Sequence, residues 1–544
     1  MKKKIFKLTI LSFMALLTGC SDWDYLDPVP TDRYSDKMVW QSEKNADLYL
    51  NGFYTYVNTY GNFGNGQFGG LLTEGLTDML KYGSNTAGDG TPNDYAVEPS
   101  KITPDQNLLG VWGDAYNRIR RVNEFIEGLK KYAAFSDDVK NRYEAQARFF
   151  RAYLYHQLVI RHGTAILLDA PTTNKNNPLS SEEECWNFIE ADLDFASRYL
   201  PVQWDNANKG RLTKGAAFAF KSRTMLFAKR WEKAKVAADS VFALNIYELA
   251  PTYKDAFTSY MKTGNKESIL EFNYALPNPS HNFDRQYAPG GDEAEMGGKA
   301  TPTQEMVEEY ELATGGKPNW NNWHDPNGTN ETPPYAQLEP RFHASILYNG
   351  ASWKGRTIEP YVGGRDGFIQ YGDEQYPKGK TTTGYYLKKW LDENNTDLVN
   401  IRSTQPWIEI RLAEVYLNHA EACAMLGESN LANQDLATIR ARVGLPHTTK
   451  TGNDLIEAIR HERKIELAFE DKYYWDLRRW RIAHQVLTGV RFHGLRIEKA
   501  GNQFIYKYVE CDDRNRQFPE KLYILPIPSN EIANNLAIRQ IGEW

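Results

Sequence analysis

His461-Glu462-Arg463 begins like the helix that holds a catalytic zinc, but Ile465 stands where a second histidine, one turn on, is needed. With a single imidazole there is no zinc-binding face, and the triplet reads as helix surface. Gly61 to Gly70 is glycine-rich yet lacks the Lys-Ser/Thr pair of a phosphate loop, so it reads as a flexible loop. Ser259-Tyr260-Met261-Lys262 and Lys450-Thr451-Gly452 match two strings of the penicillin-recognising enzymes, without the connecting Ser-Asp-Asn. A glycosidase needs only two carboxylates, and among 70 Asp and Glu residues some pair will always lie close. Asp78 and the Asp292, Glu293, Glu295 cluster are the suspects, and the cluster reads as solvated loop charge. The four cysteines supply neither a CxxC nor a Cys/His spacing for zinc, and no EF-hand string occurs. These residues predict no enzyme, no cofactor and no metal.

Binding chemistry is better supplied. Aromatic residues make up 13% of the chain, with 33 Tyr and 14 Trp, a surplus that suits either sugar stacking or helix packing. Pyranose rings have apolar faces that lie on Trp or Tyr rings, while Asp, Asn, Arg and Lys bond the hydroxyl edges. Aromatics within polar loops are therefore the better candidates for glycan contact. Tyr82, Tyr287, Trp320 and Trp323 meet that condition, with His324 as a further stacker beside the last two. Trp112, Trp231, Trp407, Trp475 and Trp480 lie in helical surroundings and read as packing residues. A formal net charge of −6 leaves no basic footprint for nucleic acid.

The elements that must position these residues are mostly helical. From Val111 to Lys131, apolar residues from Trp112 to Leu129 recur every three or four positions and form one stripe. Ser136 is placed to cap the next helix, which runs to Gly163, where a left-handed residue would end it. A third helix begins near Ser181, with Glu182 to Glu184 suiting its positive end, and stops at Pro201. Two helical hairpins follow, Lys214 to Leu244 and Arg411 to Arg442. Ser222, Ala234, Ala238 and Val241 in the first, and Ala420, Ala432, Leu436 and Ile439 in the second, suit the tight spots of a tetratricopeptide repeat. Between the hairpins the pattern breaks into turn-rich sequence. Ile269 to Tyr274 reads as a short strand there, and Tyr523 to Pro528 as an extended element near the end.

Residues 1–19 form a signal peptide: Lys2 to Lys4 are basic, and the apolar run from Ile5 to Leu17 is too short to cross a bilayer. Leu17-Thr18-Gly19-Cys20 resembles a bacterial lipobox, in which Cys20 is diacylated and becomes the first mature residue. The polar stretch 20–40, with Pro28 and Pro30, reads as a tether. Residues 41–544 form the body, with a helical scaffold at about 105–245 and 404–490 and a loop-rich ligand-binding part at about 246–403.

Ordered blocks along the chain carry a resemblance. They are Ala147 to Val159 (ARFFRAYLYHQLV), Arg211 to Ala217 (RLTKGAA), Leu338 to Phe342 (LEPRF) and Arg411 to Glu421 (RLAEVYLNHAE). Ile439 to Leu445 (IRARVGL), Ile459 to Arg463 (IRHER) and Leu525 to Pro528 (LPIP) follow. With the signal and Cys20, this order resembles the SusD/RagB family of outer-membrane nutrient-binding lipoproteins of Bacteroidetes. The resemblance implies a mainly α fold, a tetratricopeptide-like helical scaffold with a loop-rich irregular half that carries the ligand site. It also implies a non-catalytic, surface-exposed lipoprotein of the outer membrane that captures oligosaccharide or polysaccharide and caps a SusC-like TonB-dependent transporter. Asp78 and Tyr82 sit where members often place ligand contacts, Trp320 and Trp323 lie in the variable loop, and Glu421 and Arg440 belong to the scaffold. One block departs from the pattern: Leu338-Glu339 stands where the family usually shows Arg-Asp before the proline. Two readings stay open beside glycan capture, a peptide-binding or assembly lipoprotein of the same transporter type and a glycoside hydrolase.

Overall fold

The computed structural model describes residues 39–59, 71–84, 92–373 and 379–544. The signal peptide, Cys20, nearly all of the tether and the Gly61–Gly70 loop lie outside the described residues. The principal helices are α1 (Glu43–Asn51), α2 (Trp112–Tyr132), α3 (Asp137–His162), α4 (Glu182–Tyr199), α5 (Lys214–Phe227) and α6 (Trp231–Ala243). They continue with the short α7 (Gln304–Glu309), then α8 (Leu412–Met425), α9 (Ser429–Arg442), α10 (Gly452–Glu466) and α11 (Tyr473–Arg479). Five two-stranded antiparallel pairs are the only sheets among the described residues.

Local chemistry sets the helix ends. The Ser136 hydroxyl accepts from Val139 N at 3.4 Å, and Gly163 closes α3 at φ 66°. Ser181 and Glu184 form a reciprocal capping box at the start of α4. The hairpins α5–α6 and α8–α9 pack against each other through α6 and α8. Ser222, Ala234, Ala238, Ala420 and Ala432 are fully buried at the close approaches, and Asn418 donates to the Ser222 hydroxyl at 3.0 Å across the hairpins.

Two large apolar cores result, with two small clusters beside them among the described residues. One fills the helical half and contains Trp112, Ile119, Phe125, Phe149 and Tyr153. The other fills the loop-rich half with Tyr82, Tyr287, Tyr310, Phe342, Tyr385 and Trp390. The strands β1 (Leu80–Tyr82), β2 (Ser268–Phe272), β3 (Ala300–Pro302) and β4 (Trp407–Arg411) make two antiparallel pairs, β1 with β3 and β2 with β4. The second pair straddles the cores: Ile269, Leu270 and Ile410 face the helical one, Trp407 and Ile408 the other. Trp407 is buried as expected, but on a strand rather than in a helix. A hairpin of β5 (His493–Ala500) and β6 (Gln503–Glu510) follows α11 in the chain. Its signals, Leu495 and Ile497 in alternation and the Gly501-Asn502 turn, are local to the sequence.

A buried ionic network joins the halves. The Arg411 guanidinium binds Glu267 and Glu466 at 2.7 Å each and Glu470 at 2.6 Å. Arg442 binds Glu267 and Glu466, and Arg341 binds Glu339, Glu462 and Glu466. Arg440 completes it through Glu311 at 2.7 Å and Glu462 at 2.9 Å. Burial opposes the Glu466 charge, but Arg442, Arg411 and Arg341 outweigh it and hold that carboxyl far below its usual range. Its four arginines, with Glu339 and Glu462, come from the resemblance blocks, so part of that pattern is the chemistry of this joint.

Candidate ligand-binding surface

The short helix α7 organises the polar surface of the loop-rich half. Its cap, Thr303, accepts from Met306 N at 3.1 Å and donates its hydroxyl to the Asp78 carbonyl. Three carboxylates leave the helix, and each meets a base from another element. Glu305 holds His493 Nδ1 at 2.7 Å and Glu308 holds His324 Nε2 at 2.6 Å. Glu309 takes the Lys464 ammonium at 3.1 Å together with Lys317 and His461. Lys464 also donates to Asp78 Oδ2 at 2.7 Å, while Asp78 Oδ1 has no hydrogen-bond partner among the described residues.

Electrostatics follow from that pairing. Burial works against the Lys464 charge, but Asp78, Tyr473 and Glu309 outweigh it and hold the ammonium well above its usual value. Burial likewise opposes Glu309, and Lys464 with His461 overcomes it, keeping this carboxyl far below its usual range. The Tyr508 ring lies 4.2 Å from that of His493 and 4.7 Å from that of His324. Burial, and then the Glu305 and Glu308 charges, push its phenol up. The outer member of this stack, His324, keeps 37% of its side chain exposed.

Tyr82 and Tyr287 are not the exposed stackers that their polar neighbours suggested; both rings are fully buried. The Tyr82 hydroxyl donates to Leu72 O at 2.8 Å, the Tyr287 hydroxyl accepts from Leu72 N at 3.0 Å, and Tyr287 stacks on Phe283. Together they clamp the backbone just ahead of Asp78. Gly75 is required there, since a Cβ would meet the Tyr82 ring at 2.2 Å. Trp320 and Trp323 are also buried, at 5% and 8% exposure, which leaves no face for a pyranose. They pack edge to face, and Trp323 Nε1 donates to Glu331 O at 2.9 Å. Their loop folds down on them because Thr329 pairs with Tyr506 of β6.

Asp292 and Glu293 differ from expectation too. Neither is solvated loop charge: Asp292 accepts from Trp353 Nε1 at 2.6 Å and binds Arg356, and the buried Glu293 binds Arg285 at 2.9 Å. Glu295 alone of that cluster is exposed. Sequence reasoning missed Glu305, Glu308, Lys464, His493 and Tyr508. The spacing of acids at 305, 308 and 309 was visible, but their partners were not.

These elements, in this order, can be compared with known proteins. A family model described as the SusD family matches residues 266–544. The chain belongs to the SusD family. Residues 24–226 match a second family model, described as starch-binding associating with outer membrane. Among SusD-family relatives, SusD-like protein P2 of Formosa agariphila is 25% identical over 560 residues, covering 98% of each chain. A SusD-like protein from Bacteroides fragilis has a solved structure that superposes with a TM-score of 0.81 at 29% identity, covering 94% of this chain and 99% of that one. A SusD-like carbohydrate binding protein from the same organism gives 0.77 at 24% identity, over 92% and 99%.

At the departure in the SusD-family block at 338–342, Leu338 is buried in the apolar core and carries no charge. Glu339 supplies the carboxylate before Pro340, accepting from Arg341 Nε at 2.5 Å. Glu421 and Arg440 are both ion-paired. Glu421 is bound by Arg479 and Trp480, and Arg440 sits in the ionic joint. No helix among the described residues is long and apolar enough to cross a membrane.

Proposed function

We propose that this SusD-family protein captures oligosaccharide or polysaccharide at the cell surface and passes it, uncut, to a SusC-like TonB-dependent transporter of the outer membrane. The observation that carries the reading is the match of residues 24–226 to a model described as starch-binding. The full-length likeness to a carbohydrate binding relative supports it. A diacylated Cys20 would anchor the protein, since two acyl chains give stable attachment where one is marginal.

The surface around α7 is the proposed ligand site. His324 offers an exposed ring face and the Tyr508 hydroxyl a group for a sugar hydroxyl, while Asp78, its second oxygen buried, holds Lys464 in place at the site. Trp320 and Trp323 support the His324 loop from beneath, and Tyr82 and Tyr287 position Asp78. A role in capture rather than cleavage accords with the pairing of Glu305, Glu308 and Glu309 to bases, which engages all three carboxylates of the helix. Modest affinity suits a protein that must release its cargo.

Affinity electrophoresis through gels containing single polysaccharides tests the reading, with wild type beside His324→Ala and Asp78→Asn. Retardation of the wild type by at least one glycan, weakened about tenfold in His324→Ala, is the expected outcome for loss of one stacking contact. Free migration of the wild type through every gel would remove the glycan and leave peptide cargo.

A further inference from the structure

The connection from Leu200 to Thr213 carries one aromatic residue, Trp204, and ties its own ends. Lys214 N donates to Pro201 O at 2.8 Å, and Leu212 N donates to the Tyr54 hydroxyl at 3.0 Å. Within it, Asp205 accepts from Asn208 N at 3.0 Å and closes a tight turn. The Trp204 indole N–H donates to Leu212 O at 2.8 Å, so the loop itself fixes the orientation of the ring. That ring is only half-buried and belongs to neither apolar core. Core packing therefore does not account for it; the Arg211 guanidinium lies over the ring, 6.0 Å from its centroid.

Trp204 and Gln203 form the wall shared by two open clefts, of 440 and 380 Å³. Each is within the range of about 300–1,000 Å³ typical of small-molecule sites. The first cleft is lined by three carboxylates, Glu43, Asp47 and Asp205, and by three cations, Lys44, Arg142 and Arg211. Its formal charge cancels, which disfavours a polyanion and suits a neutral molecule rich in hydroxyls. Arg211 is engaged, binding Asp47 at 2.6 Å. Arg142 is exposed, and its guanidinium makes no hydrogen bond or ion pair among the described residues. A rigid half-exposed indole beside unengaged planar polar groups is the arrangement that reads a pyranose, with stacking on its face and hydrogen bonds to its edge.

We infer that the Trp204 cleft is a second binding site, for a neutral oligosaccharide, carried by the helical half of the molecule. This rests on the glycan-capture reading and adds a contact on other elements than α7. Trp204 takes a sugar face, while Arg142 and Gln203 bond its hydroxyls. Two sites on one polymer chain raise avidity without any new contact at either.

Calorimetric titration of the purified protein tests it, using neutral hexasaccharides of glucose, mannose, xylose and galactose, with a sulfated and a uronic hexasaccharide as charged probes. The variants are Trp204→Ala, and Arg142→Ala, which leaves the loop's own bonds in place should the first not fold. Two neutral oligosaccharides per wild-type chain are expected. Trp204→Ala should bind one, and Arg142→Ala should weaken one of the two sites about tenfold, as for loss of a charged hydrogen-bond donor. Unchanged stoichiometry and affinity in both variants would overturn the second site alone, as would preference for the charged probes. Failure of the wild type to bind any probe would overturn it together with the capture reading.

Discussion

In the helical half, Trp112, Ile119, Phe125 and Tyr153 reach the core by recurring every three or four residues along α2 and α3. In the loop-rich half, Tyr82, Tyr287, Trp320 and Tyr385 are buried as deeply but follow no period. Their burial comes from distant partners: Tyr287 meets Leu72 across 215 residues, and Tyr385 meets Gln304 across 81. One core is built by local geometry and the other by long-range polar pairing. Exposure can be read from sequence neighbours only in the first kind.

The sharpest way to break this comparison is to remove a charge from the joint. Glu466→Ala leaves Arg341, Arg411 and Arg442 without a shared carboxylate in a buried site. The expected loss is about 3–5 kcal/mol, the range for breaking a buried ion pair. Denaturant unfolding checks it, and a loss under about 1 kcal/mol would return the loop-rich half to ordinary apolar packing.

A smaller effect is expected from acid. Burial opposes the charge of Glu414, but the Arg223 guanidinium outweighs it and lowers the carboxyl to about 2. A depressed carboxylate stabilises the fold above its unfolded value of about 4.3, and that contribution is lost as pH falls towards the folded value. Unfolding free energy should therefore drop by on the order of 3 kcal/mol between about pH 5 and pH 2 from this group. Glu414→Gln should flatten that part of the profile; an unchanged slope would show that the pair with Arg223 does not govern it.

The smallest effect belongs to the helical half. Ser181→Ala removes one side of the capping box of α4 and should cost about 1 kcal/mol, with binding unaltered. A loss of several kcal/mol in a thermal melt would mean that local signals do not suffice even there.

The same contrast explains what was legible in the sequence. Ser136, Gly163, Ser181 and the small residues of the two hairpins act on neighbours within a turn or on the facing helix, so their types announced their roles. Trp320 and Trp323 sit among Asn, Pro and Asp, and only pairing with β6 shows that the loop covers its own aromatics. At the proposed site Asp78 was visible as a residue, but Lys464 is 386 positions away and His493 lies 188 from Glu305. The acids at 305, 308 and 309 gave a face without a partner. The β5–β6 hairpin is a different case, because its alternation and Gly501-Asn502 turn were local and readable.

The central claim, capture without cleavage, is tested most directly by holding saturating protein with a glycan it retains, then measuring bound sugar and reducing ends in the same sample. The account predicts saturable binding, recovery of the glycan at its original length and no new reducing ends. Reducing ends that rise with time and with protein concentration would contradict it and make the protein a hydrolase.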